Sequence, residues 1–94
     1  MKTKHYDIRV YGKVQGVFFR ASARHRAQLL DLTGFTKNEQ DGSVYIEAEG
    51  AEQNLSLFIA WCHEGPERAE VTNLEIAEGP LKNFSSFEVK RGLS

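Results

Sequence analysis

The stretch Gly12-Lys13-Val14-Gln15-Gly16-Val17-Phe18-Phe19-Arg20 carries the most suggestive chemistry in this chain of 94 residues. Two glycines punctuate it and an arginine closes it. Between a strand and a helix, such a segment can turn successive backbone N–H groups to one side, where they and the helix dipole hold an anion. A guanidinium at the helix entrance, Arg20, can fork two oxygens of a phosphate. No Gly-Lys-Ser or Gly-Lys-Thr follows, so this is not a Walker A loop. Taken alone, the pattern is also that of a tight strand-to-helix turn with an arginine on the surface, and both readings stay open at this level. The absences narrow the chemistry. A cysteine-dependent phosphatase places its thiolate six residues before the arginine, and that position is Val14. The single cysteine, Cys62, falls on an apolar stripe and reads as core. His5, His25 and His63 are scattered, and the carboxylates form no sequence cluster with them, so no metal site is expected. Ser22 reads as a helix-start residue. No covalent nucleophile or general base stands out.

The elements that must position these groups follow from periodicity. Tyr6, Ile8 and Val10 alternate with Asp7, Arg9 and Tyr11, which predicts a half-buried strand before the loop. Phe19, Ala23, Ala27 and Leu30 recur at helical steps and predict a helix over about Ala21 to Leu32, with Gly34 as its left-handed cap. Phe35 to Asn38 opens a second strand. Asp41-Gly42 is a hairpin signal, and Val44, Ile46 and Ala48 give a third strand that ends at Gly50. Leu55, Phe58, Ile59 and Cys62 mark a second amphipathic helix, about Ala51 to His63, stopped by Gly65-Pro66. Val71, Leu74 and Ile76 sit in a strand whose alternation slips, so an irregularity is expected there. Phe84, Phe87 and Val89 suggest a last strand ending near Arg91. Two strand-helix-strand units predict an α+β, ferredoxin-like split βαβ sandwich: an antiparallel sheet with both helices on one face and solvent on the other. Such a fold serves many functions and names none.

Length and composition set the bounds. The chain is expected to be one domain over residues 1–94, too short for a large cofactor cradle. Hydrophobic residues make 40% and charged residues 27%, the balance of a folded globular chain. No apolar run approaches a membrane span, and the charged start Met1 to Tyr6 has no apolar stretch behind it, so no signal peptide is read. One cysteine makes no internal disulfide, which suits a reducing, cytoplasmic setting. The net charge of −1 hides an asymmetry. Residues 1–30 hold seven Lys and Arg against Asp7 alone, while the rest hold five against twelve Asp and Glu. A basic segment on an acidic body favours a small anion over a long polyanion. An RNA-binding sheet of this fold would present several aromatics on its third strand; Ser43 to Glu49 offers Tyr45 beside Glu47 and Glu49. No nucleic acid and no membrane is therefore expected as a partner, and size makes a monomer the default.

Two motifs carry a family resemblance. Val10 through Arg20 closely resembles the first signature of acylphosphatases. Gly34-Phe35-Thr36-Lys37-Asn38, followed by Gly42-Ser43-Val44 and Gly50, resembles the second. Gly65 to Val71 and the late Phe84 and Phe87 are similar too, so the likeness runs through the whole chain. Thr36 stands where the family usually has Val, Ala or Cys, and Asp31 where Gly is frequent. The resemblance implies hydrolysis of small acyl phosphates to a carboxylate and inorganic phosphate, with no metal and no cofactor. It implies that Arg20 and the loop amides of Gln15, Gly16, Val17, Phe18 and Phe19 hold the phosphoryl oxygens, while Asn38 orients the attacking water. Phosphate and sulfate would then compete with substrate. The alternative is a non-catalytic phosphate- or carbamoyl-phosphate-binding module of the same fold, which binds the anion without turnover.

Overall fold

The computed structural model describes residues 2–91. The elements are β1 Thr3–Lys13, α1 Phe19–Leu29, β2 Thr33–Asn38, β3 Val44–Ala51, α2 Glu52–Glu64, β4 Glu70–Gly79 and β5 Phe87–Val89. They form a five-stranded sheet in the order β4-β1-β3-β2-β5. The first four strands make the expected antiparallel split βαβ pattern. The sheet as a whole is mixed rather than antiparallel, because β5 pairs parallel to β2. The cause is topological. The chain leaves β4 at one edge, crosses a sheet face, and joins the far edge in the direction of β2.

Pleating decides the two faces. Ile8 and Val10 of β1 lie opposite Ile46 and Val44 of β3, and all four are buried. Phe19, Ala23 and Ala27 of α1 and Leu55, Phe58 and Cys62 of α2 close on that face. The small Ala23 and Ala27 let α1 approach the sheet closely, while Phe19 and Phe58 fill the volume near Trp61. Cys62 is a core residue, and burial pushes its thiol up. The slip expected in the fourth strand is a bulge: Tyr11 faces Asn73 and Gly12 faces Val71, leaving Thr72 as the extra residue.

Helix α1 differs from the sequence reading at both ends. It begins at Phe19, after Phe18 in a left-handed conformation (φ 65°), and its last residue is Leu29. The left-handed cap is Asp31 (φ 55°), not Gly34. Leu32 N–H donates to Ala27 O at 2.9 Å and Asp31 N–H to Gln28 O at 3.2 Å, the two bonds of a Schellman motif. Gly34 is instead a strand residue, in β2. Its φ of 143° and the position of the Glu47 carbonyl, which a Cβ would strike, explain the glycine. The second helix keeps its expected place, shifted by one residue to Glu52–Glu64.

The far sheet face is not simply solvated. The segment 80–86 lies across it and roofs a polar cluster. Glu49, buried on β3, accepts backbone N–H bonds from Lys82, from Asn83 (2.9 Å) and from Phe84 (3.3 Å). Asn83 adopts a left-handed conformation to aim them (φ 58°). The Phe84 ring covers His5 and meets Phe35 edge-on.

Candidate active site

The segment from Val14 to Phe18 has no regular structure, and its conformation explains its sequence. Gly16 (φ 73°) and Phe18 (φ 65°) are left-handed, while the residues between and beside them are not. That alternation turns consecutive N–H groups toward one side. Glycine reaches such a φ without steric cost, so Gly16 suits its place. Val14 and Val17 anchor the segment by burial in the core. The first backbone bond at the helix entrance runs from Ser22 N–H to Phe18 O (3.0 Å). Among the described residues, the backbone N–H groups from Gln15 to Ala21 have no acceptor within the chain. They form the positive end of α1.

Arg20 stands in the first turn of α1, half-buried. One guanidinium N–H donates to Lys90 O at 3.0 Å. Lys90 is held in turn by its own N–H, which donates to Thr36 O at 2.8 Å. The tail after β5 therefore fixes the arginine, and the other guanidinium donors remain for a ligand. Asn38 is the last residue of β2, on the helix-covered face of the sheet. Its Oδ1 is buried and, among the described residues, accepts no hydrogen bond. Val14, Gly16, Phe18, Phe19, Arg20, Ala21, Asn38 and Val89 line one cleft of ≈ 310 Å³. Two groups that are 18 residues apart in the chain, Arg20 and Asn38, thus share a cleft with an N–H-rich helix start.

The structure divides the expected site residues. Gly16, Phe18, Phe19, Arg20 and Asn38 line the cleft. Gln15 and Val17 send their side chains elsewhere, so only their backbone can serve there. Gln15 Nε2 donates to Glu39 O at 2.8 Å and to Ser43 O at 2.9 Å. It ties the loop to the β2–β3 hairpin and so sets the loop against Asn38. That hairpin is itself braced. Asp41 Oδ1 accepts from Ser43 N–H (2.9 Å) and Ser43 Oγ–H (2.6 Å), which holds the Asp41 carboxyl below its ordinary range. The sequence reading missed Val89 and the Lys90 carbonyl. No local signal marks them, because only the parallel β2–β5 pairing brings them to the cleft.

A second group corrects the expectation that no His–carboxylate cluster exists. His5, Asp7 and Glu47 come together on the other sheet face. Along the strands, Asp7 and Glu47 are three residues and His5 is five residues from the Val10–Val44 pair beside Asn38, so roughly 10–16 Å lie between. His5 Nδ1 faces Glu49 Oε2 at 2.8 Å and Nε2 faces Asp7 Oδ1 at 2.7 Å. Lys82 Nζ donates to Glu47 Oε1 (2.8 Å) and Tyr45 O–H to Glu47 Oε2 (2.7 Å). Burial pushes the Glu47 carboxyl up, but the bonds from Lys82 and Tyr45 outweigh it and hold the group below its ordinary value. Burial and the bond to Glu47 push the Tyr45 hydroxyl upward. These atoms satisfy each other and leave little for a metal ion.

Chemically, the cleft can hold a tetrahedral oxyanion by N–H groups and a guanidinium, beside one buried acceptor. The family model described as Acylphosphatase matches residues 6–89. A curated relative named acylphosphatase, from Marinobacter nauticus, is 44% identical over 88 residues, 93% of this chain and 96% of its own length. The solved structure of an acylphosphatase from Coxiella burnetii superimposes with a TM-score of 0.91 at 39% identity, over 94% of this chain and 93% of that one. An acylphosphatase from Bacillus subtilis gives 0.91 at 35% identity, over 93% and 98%.

Proposed function

Since the chain belongs to the acylphosphatase family and shares its activity, we propose that Arg20, Asn38 and the loop amides are the machinery that hydrolyses small acyl phosphates. The substrate is a carboxyl-phosphate mixed anhydride. The phosphoryl oxygens lie against the N–H groups of Gln15 to Phe19 and the Arg20 guanidinium, at the positive end of α1. Water attacks phosphorus as the bond from phosphorus to the acyl oxygen breaks. The carboxylate leaves as a stable anion and needs no general acid. Asn38 Oδ1 accepts one O–H of the attacking water and so aims its lone pair. An amide is no base at neutral pH, so the water's proton passes to a phosphoryl oxygen. Catalysis is then positioning plus electrostatics, as suits phosphoryl transfer.

The observation that carries this reading is the buried Asn38 Oδ1, an acceptor without a partner, in the same cleft as Arg20. A buried acceptor left unpaired costs stability, which a function explains. The curated relative and the two acylphosphatase structures described above are matched over nearly their full length, which favours the hydrolase over a phosphate- or carbamoyl-phosphate-binding module. In this reading one domain spans the chain, and it works as a cytoplasmic monomer on a diffusible substrate. Among the described residues, no helix is long and apolar enough to cross a membrane.

Acetyl phosphate turnover tests it. The rate is expected to survive EDTA, because the phosphoryl charge is met by Arg20 and backbone amides. Inorganic phosphate and sulfate are expected to compete with substrate, and apparent affinity to fall as salt rises. Loss of activity on chelation, restored by Mg²⁺ or Zn²⁺, overturns the metal-free scheme. Phosphate binding without any turnover replaces the hydrolase with the binding module.

A further inference from the structure

A residue that orients water needs a fixed aim, and the Asn38 oxygen gains none from a partner of its own. Among the described residues its Oδ1 meets no donor, so the backbone on either side must hold it. On one side, Asn38 pairs with Val44 across the β2–β3 ladder. On the other stands Glu39, the first residue past the strand, and three of its groups are held. Its N–H donates to Ser43 O at 2.9 Å. Its carbonyl accepts from Gly42 N–H at 3.2 Å and from Gln15 Nε2 at 2.8 Å. Its carboxylate Oε1 accepts from Arg9 Nη1 at 3.4 Å. The same Arg9 Nη1 donates to Ser43 Oγ at 3.4 Å, and Ser43 donates its own O–H to Asp41 Oδ1 at 2.6 Å.

Arg9 does not take the partner nearest in the sheet. Directly across from it lie Tyr45 on β3 and Glu75 on β4. Opposite charges facing each other across strands ordinarily pair, but Glu75 accepts from Tyr11 O–H instead, at 2.8 Å. The Arg9 guanidinium lies over the Tyr45 ring, 5.2 Å from its centroid, and reaches both residues at the base of the turn, Glu39 and Ser43. The Arg9 and Glu39 side chains are 32% and 26% exposed, and an ion pair so open to water adds little stability. Its consequence is geometric. Successive strand residues point to opposite faces, so Asn38 faces the cleft while Glu39 turns to the far face, where Arg9 holds it without entering the cleft. Arg9 itself stands on β1, the strand whose end becomes the loop of N–H groups. We infer that Arg9, acting through Glu39, is a positioning residue of the hydrolytic site: it locks the base of the β2–β3 turn to the strand that feeds the loop, and so fixes the aim of Asn38 Oδ1 at the attacking water. The inference rests on the hydrolase reading above and adds a residue that touches neither substrate nor water. Small errors of aim are costly at a reacting centre, while phosphoryl binding by Arg20 and the loop N–H groups stays in place.

The test measures acetyl phosphate kinetics and inorganic phosphate binding side by side. The proteins are wild type, Arg9→Met, Arg9→Lys, Glu39→Ala and the double variant Arg9→Met/Glu39→Ala, each shown folded by circular dichroism. Arg9→Met is expected to lower kcat roughly 3- to 10-fold, with KM and phosphate affinity within about twofold of wild type. Arg9→Lys keeps the charge and is expected to recover part of kcat. The double variant is expected to fall no further than Arg9→Met, because the two residues act through one contact. NMR adds a readout without turnover: in Arg9→Met the Glu39 N–H is expected to exchange several-fold faster and the Asn38 side-chain amide signals to move. Unchanged kcat in folded Arg9→Met overturns the inference. So does a loss of phosphate affinity as large as the loss of kcat, which would mean that Arg9 acts on the anion by its charge. If Arg9→Met does not fold, Glu39→Ala carries the same comparison of kcat against affinity. If wild type hydrolyses no acyl phosphate, the hydrolase reading falls, and the Glu39 and Asn38 signals alone decide whether Arg9 positions Asn38.

Discussion

Two backbone nests sit on opposite faces of one sheet. At the 82–84 strap, three successive N–H groups converge on the Glu49 carboxylate, and His5, Asp7, Glu47, Tyr45 and Lys82 complete a closed set of partners. At the 15–20 loop, N–H groups gather at the start of α1, but among the described residues no acceptor meets them. Both use the same device, left-handed residues that turn N–H groups to one side, Asn83 in one case and Gly16 and Phe18 in the other. The difference is who supplies the anion. An internal carboxylate makes a nest into a clasp for a crossing segment. A nest with no internal anion among the described residues, flanked by Arg20 and the Asn38 oxygen, is where the proposed function puts an external one. Clustered polar residues therefore mean little until their hydrogen bonds are accounted for.

The largest expected effects fall on the open nest. Arg20→Ala is expected to weaken phosphate binding and abolish turnover, since its charge meets phosphoryl oxygens in ground and transition states alike. Asn38→Ala is expected to abolish turnover while phosphate still binds near its normal affinity. Each loss amounts to at least about 10²–10³ in rate, or roughly 3–4 kcal/mol. Phosphate titration by NMR beside acyl phosphate kinetics, on variants shown folded by circular dichroism, checks both. Wild-type turnover in folded Asn38→Ala removes its water-orienting role. Equal loss of phosphate binding in the two variants makes Asn38 part of the cradle.

The closed nest should answer in stability instead. Burial pushes the Glu49 carboxyl up, but the N–H groups of Lys82, Phe84 and Asn83 and the His5 ring outweigh it and hold the group below its ordinary 4.5. A carboxyl lowered by folding stabilises above its unfolded value, and that contribution disappears as pH falls through the folded value. Urea unfolding is expected to show steady stability from neutral pH down to about 4.5 and a decline below it. Glu49→Gln is expected to cost about 2–3 kcal/mol at pH 7 and to flatten the acid decline, because the amide oxygen can take only one half of these donors and the amide NH2 is left facing the other half. An acid profile unchanged in Glu49→Gln would show that the clasp is not what titrates.

The smallest effects concern two residues that belong to neither nest. Asp31 holds the left-handed position of the α1 cap, where glycine is favoured, and Asp31→Gly is expected to add about 0.5–1 kcal/mol. The buried Thr36 hydroxyl makes no hydrogen bond among the described residues. Thr36→Val removes it with little change of shape and is expected to add about 1 kcal/mol. Thermal denaturation checks both, with turnover expected to stay near wild type. A destabilised Thr36→Val would mean that its hydroxyl finds a partner.

The helices and the first four strands were legible because each shows its own period: Ile8 and Val10 at two, Phe19, Ala23 and Ala27 near four. The α1 cap was misplaced because Gly34 looks like a terminator, whereas close approach of the Glu47 carbonyl is what demands it. Arg20 and Asn38 were singled out by motif, and their pairing was not visible in any local pattern. The roofed cluster escaped notice because His5, Glu47, Glu49 and Lys82 are spread over most of the chain.

Local rules act over a few residues: side-chain alternation, helical repeat, glycine at a turn. They determined the elements of this protein, their order and the strand-loop-helix that presents N–H groups. Long-range pairing decided the rest. The chain's crossing from β4 to β5 roofs one polar cluster with Phe84 and brings Lys90 to hold Arg20. The Gln15 side chain bridges loop and hairpin, and so sets Asn38 against the loop. Each contact depends on distance in space between residues far apart in sequence. Closure of one nest and openness of the other is therefore a property of the folded sheet, not of any segment within it.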